Sequence, residues 1–218
     1  MTPGRTARTL RAVGLGSRHV LPRLVDRMCG MEAVSALRRE VVPLAEGRVL
    51  EVGFGTGLNL PWYDPARVEC VIGVEPAVPM LARARERSTA APFEVEHLAL
   101  EGERIPLEAA SVDSVVVTFS LCTIPDAPRA LEGMRRALRP GGRLFFCEHG
   151  LAPDAPTARW QGRVTPLWRR AFGGCRLDRD VPTLLAAAGF ALERLDAGYL
   201  YGGPRIASYF YRGVARVA

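Results

Sequence analysis

The chain contains no lysine; all 29 of its basic side chains are arginine. That absence excludes Schiff-base chemistry and the phosphate-gripping lysine of a P-loop. Amide side chains are almost as scarce, with one asparagine, Asn59, and one glutamine, Gln161. A skew this general reads as a bias of composition, not a selection for phosphate contacts. The net charge of +6 therefore does not argue for nucleic acid. Residues 1–44 carry +5 and residues 45–218 only +1, so the core lacks the basic groove that DNA or RNA would need. No uncharged stretch exceeds 12 residues, which excludes a membrane-spanning helix. The five cysteines (Cys29, Cys70, Cys122, Cys147 and Cys175) are odd in number and form no CxxC pair, so reduced thiols are expected. His19 and His97 have no cysteines or acids spaced around them as ligands, and no metal is expected. The basic N-terminus lacks the continuous apolar core of a secretory signal, and a cytoplasmic location is expected.

At 218 residues, with 48% hydrophobic content, the chain suits a single globular domain. From residue 48 onward, short apolar runs alternate with helical patterns. RVLEVG (48–53), CVIGVE (70–75), FEVEHLA (93–99), SVVVTFSL (114–121) and GRLFFCEHG (142–150) predict strands. Residues 76–87 and 127–138 predict helices, the second capped by Asp126 and stopped by RPGG (139–142). This alternation predicts an α/β fold: a doubly wound, mostly parallel sheet with helices on both faces. In the tail, 181–190 predicts a short helix with Asp180 as its cap, and 191–197 and 207–214 predict strands. The intervening GYLYGGPRI is able to reverse the chain and make the last strand an antiparallel edge. One domain of four parts follows: a helical lid over 1–44, a cofactor-binding half over 45–150, a substrate cap over 151–179, and a C-terminal helix and hairpin over 180–218.

The stretch EVGFGTGLNL (51–60) alternates Gly53, Gly55 and Gly57 behind a buried strand. Glycine there forfeits packing, so something must approach the backbone. A strand, glycine loop and following helix offer free N–H groups and a positive helix end. The dinucleotide fingerprint G-x-G-x-x-G needs glycine at 58, where Leu58 stands. Glu51 at the strand end suits an ammonium or sulfonium group better than a pyrophosphate. Asn59, at the start of the expected helix, is placed to cap it or to touch the same ligand. Glu75 closes the second strand 24 residues after Glu51, about where a ribose-binding acid belongs. Its carboxylate is able to accept both ribose hydroxyl protons.

With these motifs the chain resembles the class I S-adenosylmethionine-dependent methyltransferases over roughly residues 45–218. EVGFGTG is similar to their first motif, VIGVEP (71–76, with Glu75 and Pro76) to the ribose segment, and EGERIPL (101–107) to the adenine segment. SVDSVVVTFSLCTIPD (111–126) and LRPGGRLFFCEHG (138–150) resemble their fourth- and fifth-strand motifs. The resemblance implies a Rossmann-like sheet of seven strands whose last strand is antiparallel, and S-adenosylmethionine as cofactor. By it, Gly53, Gly55 and Gly57 line the methionine moiety, Glu51 its amino group and Glu75 the ribose. Glu101 and Gly102 face the adenine, and the backbone of Ser120 lies near the amino-acid end. SLCTIPD, CEHG, RWQ and GGCRLDRD are similar to the animal methyltransferase-like enzymes that S-methylate small thiols. Relatives of these in bacteria are labelled phospholipid or type 11 methyltransferases. The animal enzymes open with an apolar anchoring segment, and none is expected here.

The expected acceptor is a small, apolar molecule, with a thiol favoured because it ionises readily near pH 7. An amine such as a phospholipid headgroup is the alternative, and a non-catalytic cofactor-binding sensor or scaffold is a third. Glu148 and His149, at the carboxyl end of the fifth strand, are the candidate catalytic bases. Cys122, Trp160, Trp168 and Phe172 are the candidate substrate-pocket residues. The N-terminal segment is expected to close over the site, with peripheral contact to an anionic membrane as the alternative. Nothing in the sequence sets an oligomeric state.

Overall fold

Uncharged runs of valine bury both faces of a parallel strand, and this pattern builds the centre of the protein. The computed structural model describes residues 26, 27, 29–200 and 202–218. Strands β1 (Gly47–Val52), β2 (Val68–Val74), β3 (Glu94–Leu98), β4 (Val112–Thr118), β5 (Leu138–His149), β6 (Phe190–Tyr199) and β7 (Tyr209–Val217) form one sheet in the order β3-β2-β1-β4-β5-β7-β6. Strands β1 to β5 pair in parallel. Along β1, Leu50 and Val52 join one apolar cluster while Val49 joins the other, the two-residue alternation of a sheet covered on both sides.

Helix α1 (Glu32–Arg39) and α2 (Val78–Ala90) bring Leu37, Leu81 and Ala84 to one face. Helix α3 (Ala127–Ala137) and α5 (Val181–Ala187) bring Leu131, Met134 and Leu185 to the other. Asp126 and Asp180 cap α3 and α5 as expected, each accepting a backbone N–H three residues on. Among the described residues no helix is long and apolar enough to cross a membrane.

Four local expectations change. The last strand is antiparallel but not an edge: β7 lies between β5 and β6, and β6 is the exposed margin. Gly213 permits this insertion, since a Cβ there would sit 2.0 Å from the Arg194 carbonyl. The glycine loop runs into a short 3-10 turn (Leu60–Trp62), not an α-helix. The turn ends where Tyr63 becomes extended (φ −67°, ψ 138°), and Pro65 disfavours a helical Asp64 beyond it. RPGG does end α3, but the strand resumes at once, so β5 begins at Leu138 and not at residue 142. The cap segment, read only as lacking strands, is mostly helix α4 (Ala155–Ala171). Of the expected N-terminal lid, residues 1–25 lie outside the described residues, and so does the membrane contact proposed for them.

Candidate active site

The sheet order reverses between β1 and β4, so the loops leaving these strands flank a crevice at the carboxyl edge. They meet at Gly53 and Ser120, whose hydroxyl donates to the Gly53 carbonyl at 3.3 Å. Gly53 has φ +78°, and a Cβ there would fall 1.9 Å from Ser120 Oγ. Gly55, with φ +58°, has among the described residues only the Gly53 carbonyl at 3.9 Å in that direction, so they leave its side-chain space open. Gly57, also at positive φ, packs toward Leu60 and Ala84.

Four of the loop's N–H groups are not free, contrary to the expectation for a phosphate-type cradle. Those of Gly53 and Phe54 donate to the Val74 carbonyl, and that of Gly57 to Phe54. Gly55 N–H donates to Glu75 Oε2 at 3.1 Å, while Glu75 Oε1 accepts from Ala77 N–H at 2.9 Å. Burial raises the Glu75 pKa, and those two N–H groups oppose the shift. With those four donors spent internally the loop offers an anion little, but it offers space beside a carboxylate. That combination fits a ribose and a cationic tail. Pro76 follows on the exposed rim, and Gly102 packs within 3.1 Å of Val52 as judged from a Cβ placed on it. Glu101 is exposed beside it and faces Arg104.

Glu51 points into the loop segment, but its carboxylate is held there. Tyr63 donates to Oε2 at 2.6 Å and Asn59 Nδ2 to Oε1 at 3.0 Å. Burial raises the Glu51 pKa to about 7. Asn59 also donates to Thr118 Oγ1 at 3.0 Å, so it ties β1 to β4 and caps no helix.

Across the crevice, Phe119 holds φ +52°, a strained value for an aromatic residue. The turn aims the next two N–H groups, of Ser120 and Leu121, at Glu148 Oε1, at 2.7 and 3.0 Å. Glu148 is 0% exposed, and burial raises its pKa to about 7. Its contacts are thus to the β4 loop, and the Ser120 N–H is spent on it. His149 Nε2 lies 2.8 Å from Cys175 Sγ. Burial disfavours the imidazolium, yet the Cys175 sulfur and the Glu148 carboxyl together raise the ring's pKa. The adjacent Cys122 thiol, followed by His149, holds the Cys175 pKa down against its partial burial.

The cap residues separate. Trp168 and Phe172 stack at 4.0 Å between centroids, and the Trp168 indole also favours the Cys175 thiolate. Trp160 does not join them; it is 57% exposed with Arg163 over its ring. Cys122 is buried, and Cys175, which the sequence singled out only as part of a motif, belongs with it at the site. Sequence reasoning also missed Tyr63, Phe119 and Gln161. Gln161 accepts from Ala152 N–H and donates to the carbonyls of Gly150 and Ile206, fixing α4 to the end of β5.

The methyltransferase domain family matches residues 50–146. The chain is 34% identical over 168 residues to the thiol S-methyltransferase TMT1A of Homo sapiens, covering 75% of this chain and 68% of that protein. Matches to the TMT1B thiol S-methyltransferases of rat, human and mouse span only 62–63% of those proteins. It is 37% identical over 114 residues to the phosphatidylethanolamine N-methyltransferase of Cereibacter sphaeroides, covering 51% of this chain and 55% of that one. The solved S-adenosylmethionine-dependent methyltransferase of Mesorhizobium loti shares the fold with a TM-score of 0.65 at 22% identity, over 86% of this chain and 98% of that one. With that fold, that glycine loop and those relatives, the chain belongs to the S-adenosylmethionine-dependent methyltransferase family and uses S-adenosylmethionine as its cofactor.

Proposed function

We propose that the enzyme methylates the sulfur of a small, apolar thiol. One observation carries this reading: among the described residues at the acceptor edge, the candidate bases are bonded or sealed off, and the unpaired carboxylate oxygen of Glu148, Oε2, is fully buried. Glu51 is bonded to Tyr63 and Asn59, Glu75 to two N–H groups, Glu148 to two more, and His149 to Cys175. An acceptor that ionises unaided suits such a site, and a thiol near pKa 8.5 does so far better than an alcohol. The bound cofactor supplies an electrophilic methyl group on a sulfonium, so the protein's task is alignment and exclusion of water.

In this reading Glu75 accepts the ribose hydroxyls at the foot of β2, beside Pro76. Gly53, Gly55 and Gly57 leave room for the methionine portion, with Glu51 and Asn59 behind them. Glu101 and Gly102 flank the adenine, and Ser120 closes the amino-acid end. The Trp168–Phe172 stack supplies an apolar wall next to Cys122. Support for a lid comes from Asp26, which accepts from Thr56 Oγ1 of the glycine loop and pairs with Arg83 and Arg87 on α2. The names of the human, rat and mouse relatives agree with a thiol acceptor.

A second reading, methylation of a lipid amine headgroup, has the Cereibacter sphaeroides relative in its favour. Methyl-labelled cofactor offered with apolar thiols, small amines and phosphatidylethanolamine vesicles separates the two. Label in the thiols alone is the expected result; label in the vesicles alone refutes it and supports the amine. Tight cofactor binding with no labelled product across the panel marks a non-catalytic binder.

A further inference from the structure

Cys122, His149 and Cys175 come from three segments that the sequence keeps far apart. Cys122 follows β4, His149 ends β5, and Cys175 lies beyond α4. Main-chain bonds lace the three together. Arg176 N–H donates to the Cys122 carbonyl at 2.9 Å, and Leu151 N–H to the Arg179 carbonyl at 2.7 Å. The Arg179 guanidinium reaches the Ile124 carbonyl, also at 2.7 Å. As a result Cys122 Sγ, His149 Nε2 and Cys175 Sγ all lie within 4.8 Å of one another. Cys122 is buried, whereas the other two keep partial exposure.

The geometry points to a zinc-class metal site formed by Cys122, His149 and Cys175, with its fourth place open to the acceptor thiol. Two sulfurs and one imidazole nitrogen are the donor set of a thiophilic divalent ion, and three protein ligands leave one position vacant. Metal–sulfur bonds near 2.3 Å and metal–nitrogen bonds near 2.0 Å require the 2.8 Å His149–Cys175 approach to widen by roughly 0.7 Å. Cys175 follows Gly173 and Gly174, both at positive φ, in a segment able to make that adjustment. The Trp168–Phe172 stack borders the site on the α4 side, so a thiol reaching the fourth place lies beside an apolar wall. A thiol that coordinates there loses its proton to solvent and is held as thiolate without a protein base. The fourth-ligand part rests on the thiol-acceptor reading; the three-residue site does not.

The test uses the full chain, purified with reductant and freed of metal by chelation. Cobalt(II), a spectroscopic stand-in for zinc, is titrated in. One cobalt per chain with sulfur-to-metal charge-transfer absorption is expected. Zinc is expected to shield the partly exposed Cys175 from alkylation, while Cys70 still reacts, as read by peptide mass spectrometry on the unaltered protein. Cys175→Ser and His149→Ala should each weaken zinc binding by roughly a hundredfold or more. Absence of the absorption, or of selective shielding, overturns the site. A small apolar thiol added to the cobalt protein should change the absorption. Cobalt binding with no response to thiol leaves the metal site standing and refutes its open place as the acceptor's seat. Thiol methylation at full rate by the metal-free protein also refutes that seat, without touching the acceptor assignment.

Discussion

The two glycines that open the crevice should respond differently to the same added methyl group. Among the described residues, the new Cβ at Gly55 meets nothing closer than the Gly53 carbonyl at 3.9 Å. Gly55→Ala therefore carries only the left-handed backbone cost of about 1–2 kcal/mol, partly offset by roughly 0.4–1 kcal/mol from a stiffer unfolded chain. At Gly53 the Cβ falls 1.9 Å from Ser120 Oγ and 2.4 Å from Ser120 Cβ, so the β4 loop must move. Overpacking adds about 1–3 kcal/mol to the backbone cost. At about 2–4 °C per kcal/mol for a chain of this size, Gly55→Ala should melt only a few degrees lower and Gly53→Ala roughly 5–15 °C lower. Thermal melting of the two variants, each with S-adenosylmethionine calorimetry, reads both effects. Because the open space at Gly55 is assigned to the cofactor, Gly55→Ala should bind it at least about tenfold more weakly despite the retained fold. Unchanged affinity in Gly55→Ala removes the cradle assignment. Equal melting of the two variants removes the steric account of Gly53.

Glu51 makes the fold sensitive to pH. Its carboxyl is raised from 4.5 to about 7 by burial, with Tyr63, Asn59 and Arg38 acting against the shift. The native state then holds a proton that the unfolded chain releases first, so stability is full below pH 4.5 and is lost as pH rises toward 7. The loss is roughly 3 kcal/mol. Urea denaturation of Glu51→Gln across that window should give a flatter profile than the parent; parallel profiles refute the shift. Gln161→Leu strands the Ala152 N–H and the Gly150 and Ile206 carbonyls. At about 1–3 kcal/mol per buried unpaired group, its urea midpoint should fall clearly, and an unmoved midpoint means α4 is anchored otherwise.

Local pattern made the elements legible where one residue or period decides them. The valine runs became β1, β2 and β4, and Asp126 and Asp180 became caps, because burial on two faces and an orphan N–H are local demands. The helix expected after the glycine loop stops at an extended Tyr63, just ahead of Pro65. Helix α4 was also readable, since Asp154 caps it through Thr157 and Pro156 sits in its first turn. The placement of β7 between β5 and β6 was not readable, because either order satisfies the same alternation.

By itself the sequence determined the alternating α/β plan, the glycine loop with Glu51 and Glu75, and the methyltransferase resemblance. Each depends on spacing within a few tens of residues, where chain geometry leaves few options. Only the tertiary structure decided what those groups touch. It spent N–H groups of Gly53, Phe54, Gly55 and Gly57 within the fold, withdrew Glu51 and Glu148 from solvent, and set the lone Asn59 and lone Gln161 as buried clamps. It also gathered Cys122, His149 and Cys175 at one point. Contacts of that kind arise when distant segments pack, and no local period records them.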